Sequence, residues 1–266
     1  MTLLRAMLEA HPQVHIPPEN VLGSVVRVYR RYSRLPWTAL LRVILTHFEY
    51  YPHWETFELT LGPLFRELAG SPPHERNLAA VIDALYRTHA RKHKPSADRW
   101  GDKTPVNSVF LDDLFTTFPD MRVLHLVRDG RDVVASLMGL PEYDLHRAAG
   151  QWVRYVQAAQ SFGARRPGQY LEVRYEDLIS QPGATIERVA GFLSLNVDER
   201  MLRHHELTVR LGDVERLAHH AGVRKPIYST AVGRWRKDLS AAQVAEIEHV
   251  VGPTLARLSY GGTGEP

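Results

Sequence analysis

The spacing of apolar residues divides the chain into a helix-rich first part and a later part in which strands and helices alternate. Near the N-terminus, Leu3, Met7 and their apolar neighbours recur at helical spacing, which predicts an amphipathic helix rather than a signal peptide. From residue 21 to about 95 the apolar positions keep this spacing. We therefore expect a helical region with short turns there.

Two short apolar runs, 122–127 and 169–173, predict parallel strands that are covered on both faces. Helices are predicted at 108–118 and at 182–193, and a last one begins at Ser240, a favourable N-cap. Strands and helices that alternate with such short connections predict a helix-rich, three-layer α/β fold with a central parallel sheet.

The composition is that of an ordinary globular chain, with 266 residues, no cysteine and a net charge of +3. This length can bury one large core, so we predict a single domain over 1–260 and a flexible tail at 261–266. Without cysteine, disulfides, thiolate nucleophiles and Cys-ligated metals are excluded. The most apolar early stretch, 35–51, is interrupted by polar residues and is too short for a membrane span, and we expect a cytoplasmic protein.

The turn after the first predicted strand is a candidate anion site, since parallel sheets bind ligands beyond the carboxyl ends of their strands. Arg128 ends that strand and Ser136 follows eight residues later in the next helix, so a guanidinium and a hydroxyl can meet one phosphate-sized anion. The alternative is a surface salt-bridge network within the turn, among Arg128, Asp129, Arg131 and Asp132. Spacing alone leaves both interpretations open.

Segment 127–136, Val-Arg-Asp-Gly-Arg-Asp-Val-Val-Ala-Ser, resembles the 3′-phosphate-binding motif of sulfotransferases, which use 3′-phosphoadenosine 5′-phosphosulfate (PAPS). Four further segments resemble family motifs in the family's order: Thr-Leu-Leu-Arg-Ala-Met-Leu-Glu-Ala-His-Pro at 2–12, Gly-Asp-Lys-Thr-Pro at 101–105, Val-Arg-Tyr-Glu-Asp-Leu at 173–178 and Val-Gly-Arg-Trp-Arg at 232–236. The chain is especially similar to protein-tyrosine sulfotransferases and their bacterial relatives. The resemblance implies a P-loop-like sulfotransferase fold and transfer of a sulfuryl group from PAPS to an acceptor hydroxyl of a tyrosine, a carbohydrate or a small molecule, with PAP as product.

The resemblance also implies which residues contact the donor. Arg128 and Ser136 match the pair that holds the 3′-phosphate, and Arg234 matches a further basic contact to it. Tyr175 matches the tyrosine that meets the adenine, although a core tyrosine at a strand end is the alternative. Thr2 matches the end of the loop that binds the 5′-phosphosulfate at a helix N-terminus.

Two further residues match catalytic positions of the family. Lys103 matches a lysine beside the leaving phosphate, where positive charge stabilises the charge that develops on the bridging oxygen. Glu19 falls at the position of the catalytic glutamate of tyrosine sulfotransferases, and a carboxylate there can take the acceptor proton. The alternatives are a surface lysine paired with Asp102 and an acidic residue near a helix N-terminus.

Two departures from the family pattern keep a second function open. Only Thr2 of the phosphosulfate loop is present, so we expect that the first strand and most of this loop are missing from the chain. His219 stands where tyrosine sulfotransferases have a serine, and we assign it no role. A catalytically impaired sulfotransferase-like binding protein is therefore the main alternative.

Other functions are less well supported by the residues. A P-loop kinase needs G-x-x-x-x-G-K-[ST], which does not occur. Residues 201–237 carry eight basic against three acidic residues, a local charge of +5, which suits a phosphate-rich cofactor as well as a nucleic acid or a solvated face. Adjacent histidines at 204–205 and 219–220 do not share a helix face, so we predict no metal. The expected partner is a hydroxyl-bearing acceptor, with no nucleic acid.

Overall fold

The computed structural model describes residues 2–52, 54–206, 226–227 and 230–261. The chain forms two compact units, the first from Met1–Met121 and Leu195–Pro226 and the second from Arg122–Ser194 and Ile227–Pro266. The single domain predicted over 1–260 stays a prediction.

The first unit is mainly helical and contains one short pair of strands. Its helices and strands are α1 (Thr2–Glu9), β1 (Val14–His15), α2 (Leu22–Tyr32), α3 (Trp37–Glu49), α4 (Leu61–Ala69), α5 (Leu78–His93), β2 (Arg99–Trp100) and α6 (Leu111–Thr117). The helix predicted at 108–118 begins instead with a 3-10 segment, Pro105–Phe110, and becomes α-helical only at Leu111. The amphipathic first helix and the helical region predicted over 21–95 are confirmed.

Strand β1 pairs in parallel with β2, with Val14 opposite Arg99. The sequence did not predict β1, because two residues are too few for a visible period. Because these two strands pair in parallel, the segments that follow them, residues 16–20 and 101–105, are neighbours. The core of the unit lies on the apolar faces of α2 to α6 and includes Leu41, Phe48 and Ile82.

The second unit contains the other helices and strands of the described residues. They are β3 (Val123–Val127), α7 (Gly130–Leu137), α8 (Leu145–Arg165), β4 (Tyr170–Arg174), α9 (Tyr175–Ser180), α10 (Pro182–Leu193), α11 (Trp235–Asp238) and α12 (Ala241–Arg257). Strands β3 and β4 are parallel, with Val127 opposite Arg174. Both predicted strands and their parallel pairing are confirmed, but most of their residues are only partly buried, so the expected cover on both faces is incomplete.

The helix-rich α/β fold with parallel strands is confirmed, with one difference in the sheet. Within the described residues the strands form two separate two-stranded sheets, one in each unit, where the sequence predicted one central sheet. In the second unit α7, α8 and α12 pack together around buried side chains such as Val134, Trp152 and Ile247. Ser240 caps α12 as predicted, in a capping box with Gln243.

Among the described residues, no helix has both the length and the apolar character needed to cross a membrane.

Candidate active site

In the first unit, the two residues predicted to be catalytic contact each other. The ammonium of Lys103 forms a salt bridge with the carboxylate of Glu19, a residue 84 positions away in the sequence. Lys103 is mostly buried, whereas Glu19 is about one third exposed. The partner of Lys103 is therefore Glu19, and not Asp102 as in the alternative interpretation. We call these residues the Glu19–Lys103 pair.

Glu19 lies in segment 16–20, whose first residue, Ile16, is bound by two buried residues of α1. Arg5 donates from Nε and Nη2 to the carbonyl oxygen of Ile16, at 3.0 and 2.9 Å. Glu9 accepts from the backbone N–H of the same residue, at 2.5 Å. Both polar groups of the Ile16 backbone are thus bonded to charged side chains, and hydrogen bonds to charged groups are stronger than neutral ones.

The residue before Lys103, Asp102, has a carboxyl group with a raised pKa. Asp102 accepts hydrogen bonds from the Tyr86 hydroxyl at 2.8 Å, from Thr104 Oγ1 at 3.2 Å and from Asn107 Nδ2 at 2.7 Å. Burial raises the pKa of Asp102 to about 6, although these three hydrogen bonds act in the opposite direction. Asp102 is thus part of the local hydrogen-bond network rather than a surface partner of the lysine.

Thr2 is the first residue of α1 and is partly buried. Its role at the phosphosulfate stays a prediction.

In the second unit, Arg128 lies directly after β3 and stacks on Tyr175, the first residue of α9. The guanidinium carbon is 4.9 Å from the centre of the tyrosine ring. Arg128 also donates to the carbonyl oxygen of Ala231 and pairs with Asp132 at 3.3 Å. Its Nε atom is buried and has no hydrogen-bond partner in the part of the chain that the structure describes. The structure therefore brings together Arg128 and Tyr175, two of the residues predicted to contact PAPS, and their roles there stay predictions.

Asp132 connects this turn to the Gly-Arg-Trp segment more than 100 residues later. Its fully buried carboxylate accepts from the backbone N–H groups of Gly233 and Trp235, each at 2.9 Å. The residue between them is Arg234, so its backbone is fixed beside the Arg128 turn, which we define as residues 128–136. Sequence reasoning missed this role of Asp132, and the available signal was its spacing of four residues from Arg128.

Ser136 and Arg234 are less enclosed than Arg128. Ser136 is exposed near the end of α7, and the side chain of Arg234 is exposed and bonds Asp238 through Nε at 2.6 Å. Within the described residues, no hydrogen bond or ion pair joins either of them to Arg128. The structure thus places all three around one turn without direct contacts between them.

The surface network considered as the alternative exists as ion pairs, but it is buried. Arg131 pairs with Asp129 at 2.7 Å, and Arg131 is only 2% exposed. Trp152 binds the backbone of the turn, because its Nε1–H donates to the carbonyl oxygen of Arg128 at 3.1 Å. A side chain at Gly130 would lie within 2.8 Å of the Trp152 ring, so glycine is required there. These charges and this tryptophan therefore shape the turn.

Several predictions fall on residues that the structure does not describe. They concern His219 and its neighbour at 220, most of the basic stretch 201–237, and the tail beyond residue 261. Among the described residues, no group of three or more His, Cys, Asp or Glu side chains is arranged to hold a metal ion. The absence of a metal from the reaction stays a prediction.

Known proteins match this chain over most of its length. A family model described as "Sulfotransferase family" matches residues 2–199. A putative protein-tyrosine sulfotransferase of Caenorhabditis briggsae is 26% identical, over 97% of this chain and 84% of the relative. Protein-tyrosine sulfotransferase A of Caenorhabditis elegans is 28% identical over the whole chain, which spans 65% of that relative. The human Carbohydrate sulfotransferase 1 is 29% identical over 53% of this chain and 39% of its own length.

Solved structures agree on the fold. The sulfotransferase domain of the Synechococcus PCC 7002 olefin synthase has a TM-score of 0.62 at 21% identity and covers 94% of this chain and 90% of its own. The sulfotransferase domain from the curacin biosynthetic pathway has a TM-score of 0.56 at 18% identity, with 98% and 93% covered. The resemblance predicted from the five motifs is confirmed: the chain belongs to the sulfotransferase family, enzymes that transfer a sulfuryl group to an acceptor hydroxyl and for which the family implies PAPS as donor.

Proposed function

We propose that this chain transfers the sulfuryl group of PAPS to a tyrosine hydroxyl, with Glu19 as general base and Lys103 as electrostatic stabiliser. The observation that carries the proposal is the direct contact of these two side chains, which come from distant parts of the sequence. A carboxylate that meets an ammonium in a partly buried place offers a proton acceptor and a fixed positive charge together.

The chemistry assigns one task to each group. Glu19 accepts the proton of the acceptor hydroxyl while the bond between that oxygen and sulfur forms. The bond between sulfur and the bridging phosphate oxygen breaks, PAP leaves, and Lys103 stabilises the negative charge on the oxygen that departs. General-base catalysis by a positioned carboxylate contributes roughly 10²- to 10⁴-fold.

In the second unit, we assign the 3′-phosphate to Arg128, Ser136 and Arg234, and the adenine to Tyr175. Within the described residues the buried Nε–H of Arg128 has no acceptor, which supports this assignment, because a buried donor without an acceptor costs free energy that a hydrogen bond to a phosphate oxygen would restore. Thr2 of the first unit is assigned to the 5′-phosphosulfate. The proposed reaction uses no metal ion.

Tyrosine is the first candidate acceptor, because the relatives that match nearly all of this chain carry tyrosine in their names. A carbohydrate hydroxyl is the second, because Carbohydrate sulfotransferase 1 matches about half of the chain. A cytoplasmic location is part of the proposal, and cell fractionation tests it.

Donor binding is tested by thermal unfolding with PAP, AMP and Mg-ATP. PAP at one hundred times its Kd should stabilise the fold by about 2.7 kcal/mol, and the other two should stabilise it less. Preference for Mg-ATP would contradict the assignment and favour a kinase.

Turnover is tested by transfer of radioactive sulfate from PAPS to a tyrosine peptide, with its phenylalanine counterpart and an oligosaccharide alongside. Glu19→Gln should lower kcat by roughly 10²- to 10⁴-fold, whereas the control Glu67→Gln, on the exposed face of α4, should not change it. PAP binding without transfer to any acceptor would instead identify the impaired binding protein.

A further inference from the structure

Asn20, the residue after Glu19, has both of its backbone polar groups bonded to side chains near Lys103. Its N–H donates to Thr104 Oγ1 at 2.7 Å, and its carbonyl oxygen accepts from Asn107 Nδ2 at 3.1 Å. Asn20 is only 1% exposed, so water cannot replace these bonds. We propose that Thr104 and Asn107 are positioning residues that hold Glu19 against Lys103, a role that rests on the proposed function of Glu19.

The hydrogen bond between Asn20 and Thr104 is next to the Glu19–Lys103 pair, because Asn20 follows Glu19 and Thr104 follows Lys103 in the sequence. The two segments are therefore joined at successive positions, first by a salt bridge between side chains and then by a hydrogen bond to the backbone. The salt bridge joins two flexible side chains, whereas the backbone bond limits how far the segments can separate. The distance between the two charged groups therefore depends on Thr104.

Hydrogen bonds to Asp102 orient the side chains of Thr104 and Asn107. A hydroxyl has one hydrogen, and Thr104 donates it to Asp102 at 3.2 Å, which leaves lone pairs to accept from Asn20. Asn107 donates to Asp102 at 2.7 Å from the same nitrogen that bonds the Asn20 carbonyl. The Tyr86 hydroxyl, from α5, also donates to this carboxylate at 2.8 Å. A carboxylate that accepts from all three keeps each donor in one orientation.

The other end of the segment is already fixed, because Arg5 and Glu9 bind the backbone of Ile16. Only Pro17, Pro18 and Glu19 lie between Ile16 and Asn20, and each proline has a locked φ. With both ends anchored, residues 16–20 have little freedom. Loss of the Asn20 anchor would release one end and let Glu19 move away from its working position.

The test compares Thr104→Val, which has the same shape without the hydroxyl, with Thr104→Ser, which keeps the hydroxyl. Thr104→Val should lower kcat for the tyrosine peptide about 10- to 100-fold while KM for PAPS changes less than about twofold. Amide exchange in the peptide 16–22, followed by mass spectrometry, should become about tenfold faster in this variant without a change elsewhere. Thr104→Ser should stay near the wild type in all three measurements.

The positioning role is overturned if Thr104→Ser is as slow as Thr104→Val, or if Thr104→Val keeps wild-type kcat and wild-type exchange at 16–22. Glu19→Gln is measured in parallel. Full activity of Glu19→Gln overturns the proposed function together with the positioning role, whereas activity lost in Glu19→Gln but kept in Thr104→Val overturns the positioning role alone. If Thr104→Val does not fold, Asn107→Ala takes its place, with the same expected loss of kcat and faster exchange at 16–22, and wild-type values of both overturn the role.

Discussion

The Glu19–Lys103 pair and the Arg128 turn differ in how far apart their residues lie in the sequence. The pair joins residues 84 positions apart, and the side chains of Thr104 and Asn107 bind the backbone next to it. The Arg128 turn places its arginine, its aspartate and its serine within nine residues, at the end of one strand and in the helix that follows. Arg128 is paired with Asp132, just as Lys103 is paired with Glu19, but within the described residues its buried Nε–H has no acceptor. Arg128 and Ser136, which we assign to the 3′-phosphate, thus lie close together in the sequence, while a carboxylate beside an ammonium 84 positions away requires two segments to be packed together.

The largest effect is expected at Asp132, whose buried carboxylate binds the turn to the backbone of Gly233 and Trp235. Asp132→Ala removes the partner of Arg128 and the acceptor of two backbone N–H groups, and breaking a buried charge pair costs about 3–5 kcal/mol. Urea unfolding measures the loss. The control Asp238→Ala breaks the more exposed pair with Arg234 and should cost less than about 1 kcal/mol. Equal losses would show that the buried connection is not what stabilises the turn.

Arg128 tests whether the turn binds an anion as well as stabilising the fold. Arg128→Gln removes charge-assisted hydrogen bonds worth about 1.5–3 kcal/mol, so the Kd for PAP should rise roughly 10- to 100-fold. Isothermal titration calorimetry gives the Kd. Arg147→Gln, at an exposed position of α8, is the matched control and should leave it unchanged. A Kd for Arg128→Gln within about twofold of the wild type would remove Arg128 from the donor site.

Gly23 tests how closely the segments of the first unit must pack. A Cβ at Gly23 would lie 2.0 Å from Cβ of Phe110, and the Gly23 N–H donates to Asn107 at 3.2 Å. Gly23→Ala should therefore destabilise the fold by about 1–3 kcal/mol through overpacking. Gly62→Ala is the control in α4, where the added Cβ meets nothing nearer than 3.8 Å, and thermal unfolding compares the two. Equal stability of both variants would mean that α2 can shift without cost.

The smallest effect is a dependence on pH, and its sign differs between the two units. Hydrogen bonds from His125 and then Tyr170 lower the pKa of Glu172, in the second unit, to about 2. A lowered carboxyl pKa contributes stability that is present above the ordinary value near 4.5 and is lost as the pH falls through about 2. Glu172→Gln should thus cost at most about 1 kcal/mol at pH 6, since the side chain is about one third exposed, and less as the pH falls below about 4.5.

Asp102, in the first unit, gives the opposite sign because burial raises its pKa to about 6. Its contribution is present below the ordinary value near 3.8 and is lost as the pH rises through about 6. Urea unfolding from pH 4 to pH 7 should show that Asp102→Asn costs more at pH 4 than at pH 7. The same trend for both carboxyls would contradict their assigned environments.

Sequence patterns alone predict the helices and strands of this protein that depend on interactions between residues close together in the sequence. Helical spacing predicted the first helix and the region 21–95, an apolar run predicted β3, and Ser240 predicted the start of α12. The Arg128 turn could be proposed from its position after a strand, because a strand end and the next helix are neighbours in any such fold.

The arrangement of the site comes from contacts between distant segments. Family resemblance indicated Glu19 and Lys103, but no pattern showed that Thr104 and Asn107 bind the backbone of Asn20. The bonds of Asp132, to residues 101 and 103 positions away, were equally invisible. Helix caps and periodicity arise from local geometry, whereas these bonds exist only because packing brings remote backbone groups next to a side chain and shields them from water.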